Sequence, residues 1–81
     1  MSRPPIDVFL RPEPGDRVEI LNGDLQWCLH VVGNVDEQGV SGSVYDARLS
    51  NDEPAYFTQS RSLWESMLRR PSIYRQTRVF E

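Results

Sequence analysis

The sequence lacks most of the residues that build recognisable chemical sites. Its 81 residues include one cysteine, one histidine and no lysine, so all nine basic residues are arginine. The single Cys28 closes no disulfide within the chain and offers no ligand pair for a structural zinc. We therefore predict no metal site and no cofactor, and we expect a reducing compartment.

Long apolar runs are also missing. No segment approaches the roughly 18 apolar residues that a membrane helix needs, and the first residues lack the apolar stretch of a secretory signal. We expect a cytoplasmic location and no membrane partner. Hydrophobic residues make up 38% of the chain and charged residues 26%, which is ordinary for a folded protein. The length predicts a single domain over residues 1–81 with a thin core.

Proline is concentrated near the N-terminus. The first 16 residues contain Pro4, Pro5, Pro12 and Pro14. Because proline disfavours the interior of a helix, residues 1–16 are predicted to form an extended lead-in. Within it Ile6, Val8 and Leu10 alternate with Asp7, Phe9 and Arg11, which predicts a short edge strand there.

The dipeptide Asn22-Gly23 predicts a β-hairpin. Both residues tolerate positive φ, as a two-residue type I′ loop requires. Such a loop pairs Val18 with Trp27 and places Arg17 opposite Cys28. The side chains that this register assigns to the core face are Val18, Ile20, Leu25, Trp27, Leu29 and Val31.

A second turn is predicted over residues 36–39, which read Asp-Glu-Gln-Gly. A four-residue loop there pairs Val35 with Val40 and, farther along, Val31 with Val44. It also sets Gly33 opposite Gly42, and facing glycines are typical of a place where a sheet bends or bulges.

A short helix is expected over about residues 62–70. Ser62 and Glu65 fit a capping box, and Pro71 ends the helix because it disfavours helical geometry at the residue before it. The stripe predicted to face the core consists of Leu63, Trp64, Met67 and Leu68. Residues 73–80 are predicted to form a final edge strand.

The segment Pro14-Gly15-Asp16-Arg17-Val18 resembles the start of many small SH3-like barrels, which mostly serve as binding modules. Together with the predicted elements it implies an α+β, mostly β domain. The sheet is expected to be either a curled antiparallel meander or a partly open small barrel of four to six strands. The sequence is assigned to no family.

Arginine and aromatic residues near the C-terminus form the candidate partner-binding surface. Residues 61–81 hold five arginines and two acids, although the chain as a whole has a net charge of −3. Guanidinium groups bind carboxylates and phosphates, and aromatic rings stack. The candidate residues are Arg69, Arg70, Tyr74, Arg75 and Arg78. An acidic protein surface is expected as partner ahead of nucleic acid.

A second candidate surface is the face of the meander opposite the predicted core. It carries Cys28, His30 and Tyr45, which are less polar than a solvated face should be. We predict that the C-terminal helix, a second copy of the chain or a partner covers it. A lone histidine on a strand is usually packed or hydrogen-bonded, so no catalytic residue is assigned.

These features favour a non-enzymatic interaction module that self-associates into a homo-oligomer. One alternative is a small-molecule-binding or catalytic oligomer with an intersubunit site near His30 and Tyr45. Another is an accessory protein of a phage or other mobile element, a hypothesis that rests on size and not on any residue.

Overall fold

The structure is a computed structural model that describes residues 3–46 and 55–77. Five antiparallel strands form one open sheet in the order β4-β3-β2-β1-β5, with a short helix near the C-terminus. This confirms the predicted α+β class. The elements are α1 (Pro5–Leu10), β1 (Arg17–Leu21), β2 (Trp27–Val35), β3 (Gly39–Asp46), β4 (Ala55–Ser60), α2 (Arg61–Ser66) and β5 (Tyr74–Arg75), with 3-10 turns at Met67–Arg69 and Pro71–Ile73.

The lead-in is not wholly extended, because α1 occupies the segment predicted to be an edge strand. Pro5 stands in the first turn of the helix, where its missing N–H costs nothing and its fixed φ favours the helix. Pro12 and Pro14 lie beyond its end. The prediction of an extended lead-in is wrong because prolines at the borders of a helix were counted against its interior. α1 buries Val8 and Phe9 completely.

The first hairpin has a different register from the predicted one. Val18 pairs with His30 and Leu21 with Trp27, a shift of three residues. Asn22 begins the turn: its carbonyl accepts from the Leu25 N–H at 3.0 Å, and its Oδ1 accepts from the N–H groups of Asp24 and Gln26. Leu25 then takes a φ of +61°. A turn followed by one left-handed residue is a common three-residue hairpin loop, and here the left-handed residue is Leu25 in place of the usual glycine.

The second hairpin follows the prediction near its turn and departs from it farther on. Val35 pairs with Val40, as expected. A bulge then falls between Val32 and Asn34, so Val31 pairs with Ser43 and not with Val44. The glycines therefore did mark a bulge. Because the extra residue reverses the alternation of the strand, it changes which side chains share a face.

Helix α2 begins one residue earlier than predicted, and its capping residue lies two residues before the predicted Ser62. The capping side chain is Ser60, whose Oγ accepts from the Leu63 N–H at 3.2 Å. Trp64 and Met67 face the core as expected, whereas Leu63 is 54% exposed. The core lies between the helices and one face of the sheet. Its buried members are Val8, Phe9, Val18, Ile20, Val32, Val40, Trp64 and Met67.

The final strand is much shorter than predicted. β5 pairs only Arg75 with Glu19 and Tyr74 with Ile20, at the edge of the sheet beside β1. Ile73 ends a 3-10 turn. Residues 78–80 of the predicted strand lie outside the described residues.

Candidate functional site

The sheet has one face packed by helices and one face that no described helix covers. Cross-strand partners point to the same side of a sheet and neighbours along a strand to opposite sides. The buried helix residues pack against Val18, Ile20, Val32 and Val40, which fixes the covered face. The opposite side is here called the open face. It carries Arg17, Glu19, Leu21, Trp27, Leu29, Val31, Ser43, Tyr45, Tyr56 and Arg75.

Strand pairing arranges the open face in rows. One row runs across four strands through Arg75, Glu19, Leu29 and Tyr45. A second runs through Arg17, Val31, Ser43 and Tyr56, and a third joins Leu21 to Trp27. The centre is therefore apolar, with charged groups on the β5 and β1 side and tyrosines on the β3 and β4 side.

Arg75 is held in place on this face by two groups. Its Cζ lies 4.1 Å from the centroid of the Trp27 ring, and its Nη2 donates to Glu19 Oε2 at 3.1 Å. Stacking and the ion pair fix the guanidinium in one orientation, with Glu19 buried. Its Nε is buried without a hydrogen-bond partner among the described residues. The arrangement presents a rigid aromatic and arginine pair, the residue types that dominate protein interfaces.

Arg69, Arg70 and Tyr74 do not lie on the open face with Arg75. Arg69 and Arg70 are exposed at the end of the helical segment, whereas Tyr74 packs against the core with its ring centroid 4.8 Å from that of Phe9. Tyr74 pairs with Ile20 and so lies on the covered side of the sheet. Arg78 lies outside the described residues. Among the four candidates that the structure describes, Arg75 alone belongs to the open face.

Cys28, His30 and Tyr45 do not share a face, so this part of the prediction is wrong. Leu29 is the partner of Tyr45, and Cys28 and His30 are its chain neighbours. Tyr45 therefore lies on the open face and the other two on the covered face. The shifted hairpin register and the bulge together caused the error, and for the same reasons Trp27, Leu29 and Val31 were assigned to the core.

Cys28 and His30 lie beyond the helices, at the end of the covered face nearest the first hairpin. Cys28 is buried, and its Sγ accepts from Asn22 Nδ2 at 3.4 Å. His30 Nδ1 is 3.0 Å from the Cys28 carbonyl oxygen, and its ring packs edge-on against Phe57 at a centroid distance of 5.0 Å. Burial lowers the pKa of His30 from 6.5, and the hydrogen bond to the Cys28 carbonyl opposes that shift.

The described residues contain no group of three or more His, Cys, Asp or Glu side chains placed to hold a metal ion. None of the helices in that part of the chain is long and apolar enough to cross a membrane. Comparison with protein families, with curated proteins and with solved structures finds no match to this chain.

Proposed function

We propose that the protein is a non-enzymatic interaction module that self-associates through the open face. The observation that supports this is the half-buried apolar group Leu21, Trp27, Leu29 and Val31, which no described helix covers. Contiguous apolar surface of this kind is typical of an interaction site in a folded protein. The proposal includes the cytoplasmic location expected from the sequence.

The composition of the open face supports the same function. Aliphatic side chains and Trp27 lie at its centre, and arginine, glutamate, serine and tyrosine surround them. Tyr45 and Tyr56 are 45% and 79% exposed. An apolar centre within a polar rim, enriched in tryptophan, tyrosine and arginine, is the usual anatomy of a protein interface.

A second copy of the chain is the partner we propose. A domain of 81 residues has a thin core, and pairing two apolar sheet faces adds buried area without new sequence. The alternative partner is an acidic protein surface, since the open face bears two arginines and one glutamate on a chain of net charge −3.

The test is the solution mass by size-exclusion chromatography with light scattering. The parent chain is expected to be a dimer or larger, and Leu29→Arg is expected to be a monomer because it buries a charge at the centre of the interface. Leu63→Arg, the same exchange on the exposed side of α2, is the matched control and should keep the mass of the parent. Tyr45→Arg, at an exposed position, serves as a second variant if Leu29→Arg fails to fold.

The salt dependence separates an apolar interface from an ionic one. Mass should be maintained or increased at high salt if apolar burial drives association, because salt screens ion pairs only. A monomeric parent at all concentrations would exclude self-association. If Leu63→Arg dissociated the oligomer and Leu29→Arg did not, the interface would lie on the helices, and its assignment to the open face would be wrong.

A further inference from the structure

The open face differs from one side of β2 to the other. β2 is the middle strand of the sheet. On the side of β1 and β5 the face carries the guanidinium groups of Arg17 and Arg75, here called the arginine side. On the side of β3 and β4 it carries the hydroxyl groups of Ser43, Tyr45 and Tyr56, here called the hydroxyl side. A second copy that packs on this face brings either like sides or opposite sides together.

The arginine side presents positive charge to an approaching molecule, although Glu19 lies within it. The Arg75 side chain is 36% exposed, whereas that of Glu19 is only 11% exposed. Arg17, two residues before Glu19 on the same side of the sheet, is also exposed. The two guanidinium groups are therefore more accessible to a second molecule than the carboxylate beside them.

Symmetry limits how two copies of the open face can meet. Most homodimers are related by a twofold axis, and sheets that pack face to face usually keep their strands within about 30° of each other. The axis then lies between the two sheets and runs either along the strands or across them. An axis along β2 places each side over the opposite side of the partner, whereas an axis across the strands places each side over itself.

An axis across the strands brings together groups that oppose association. With Leu29 at the centre, it sets Arg75 against Arg75 of the partner subunit and Arg17 against Leu21 of the partner subunit. Like charges repel in an interface, and a guanidinium buried against an aliphatic side chain leaves its donors unpaired. A right-angled crossing of the sheets would likewise lay charged groups over the apolar centre.

An axis along β2 brings together groups that are compatible. It sets Leu29 and Val31 against the same residues of the partner subunit, so the apolar centre packs on itself. It also sets Arg17 against Ser43 of the partner subunit, because these two residues flank Val31 in one row. The guanidinium then meets a hydroxyl group that can accept a hydrogen bond, and the arginine sides of the two copies lie apart.

We infer that the twofold axis of the self-associated protein runs along β2, so that the arginine side of each copy packs on the hydroxyl side of the other. This inference rests on the proposed function and specifies how the second copy is oriented. Its most specific consequence is a pair of equivalent contacts between Arg17 of one copy and Ser43 of the partner subunit.

Substitutions at Ser43 test the orientation, because a charge there lies against Arg17 of the partner subunit only if the axis runs along β2. Ser43→Glu should dimerise roughly tenfold more tightly than Ser43→Lys at low salt, since two equivalent ion pairs replace two repulsions. The difference should shrink as salt is added. Ser43→Gln, which is uncharged and similar in size, is the matched control and should lie between them. The dissociation constants of the dimers are measured by sedimentation equilibrium.

Net charge alone predicts the opposite order. The chain has a net charge of −3, so Ser43→Lys reduces the general repulsion between copies and Ser43→Glu increases it. Charge exchange supplies a second check: adding Arg17→Glu to Ser43→Lys should restore the affinity at least to that of Ser43→Gln. Melting temperatures of dilute samples confirm that each variant folds.

The outcomes separate this inference from the proposed function. A parent chain that stays monomeric refutes both. A dimer that Leu29→Arg dissociates, but that forms equally tightly with Ser43→Glu and Ser43→Lys or more tightly with Ser43→Lys, keeps the open-face interface and overturns the axis along β2. Failure of Arg17→Glu to compensate Ser43→Lys overturns that axis as well.

Discussion

The two faces of the sheet differ although they are built from the same strands. On the covered face Val18, Val32 and Val40 are almost inaccessible to solvent, whereas on the open face Trp27, Leu29 and Val31 are half-buried. β2 contributes apolar side chains to both sides. A strand that is apolar on both sides is typical of a sheet covered on both sides. The proposed self-association would cover the second side of this sheet.

The two tryptophans provide the strongest test of this comparison. Trp64 is fully buried, its Nε1 donates to the Val8 carbonyl at 2.9 Å, and its ring stacks on Phe57 at 5.5 Å. Trp64→Ala is expected to lower the free energy of unfolding by about 3–5 kcal/mol. Trp27→Ala should cost roughly 1–2 kcal/mol, since it removes partial burial and one cation–π contact.

Urea unfolding measured in dilute, monomeric samples checks both values. A loss with Trp27→Ala as large as that with Trp64→Ala would mean that the open face is part of the core of a single chain. The comparison between the faces would then fail.

The bulge in β2 reverses which side chains of the strand face the core. Substitutions at the two neighbouring glycines, Gly33 and Gly42, test its geometry. A Cβ on Gly42 would collide with the Val31 carbonyl oxygen and lie 2.8 Å from the Gly33 nitrogen, and backbone atoms cannot move aside cheaply. Gly42→Ala is expected to cost about 2–3 kcal/mol. At Gly33 the nearest atom would be 3.5 Å away, so Gly33→Ala should cost less than about 1 kcal/mol. If Gly42→Ala and Gly33→Ala lowered the stability equally in thermal unfolding, the close approach of Gly42 to the Val31 carbonyl would be contradicted.

The smallest expected effect is the pH dependence that His30 gives to the covered face. Burial lowers the pKa of His30 in the folded chain, whereas in the unfolded chain it is protonated near pH 6.5. Below that pH the unfolded state binds more protons, so stability falls as the pH drops and levels off once folded His30 is also protonated.

The comparison with His30→Gln isolates this contribution from that of the acidic residues. Parent and variant are unfolded with urea at a series of pH values between 5 and 8. The parent should lose more stability than the variant as the pH falls below 6.5. Parallel profiles would show that His30 is not desolvated in the fold.

Much of the architecture could be predicted from sequence. Turn residues located both hairpins, Val35 and Val40 were paired correctly, and Trp64 was placed in the core. These predictions succeeded because they depend on local chemistry, such as proline at a helix end or glycine at a bend. The first helix was missed because its flanking prolines were weighed as breakers.

The sequence could not show which side chains of β2 face the core, and the reason is physical. A period of two identifies the buried side only when the other side is polar, and residues 27–32 of β2 are apolar at almost every position. The predicted pairing of β1 with β2 then depended on the length of the loop between them. Leu25 adopts a left-handed conformation that sequence usually signals with glycine or asparagine, so the correct loop left no trace in the residue pattern.

Because the two tryptophans lie on opposite faces of the sheet, their fluorescence can report on each face separately. Trp64 sits in a dry aromatic cluster and Trp27 lies beneath a guanidinium at a half-exposed surface. Replacing either one by phenylalanine leaves a chain whose ultraviolet emission comes from a single known environment. The chain that retains Trp64 reports loss of the fold, and the chain that retains Trp27 reports whether the proposed second copy binds the open face.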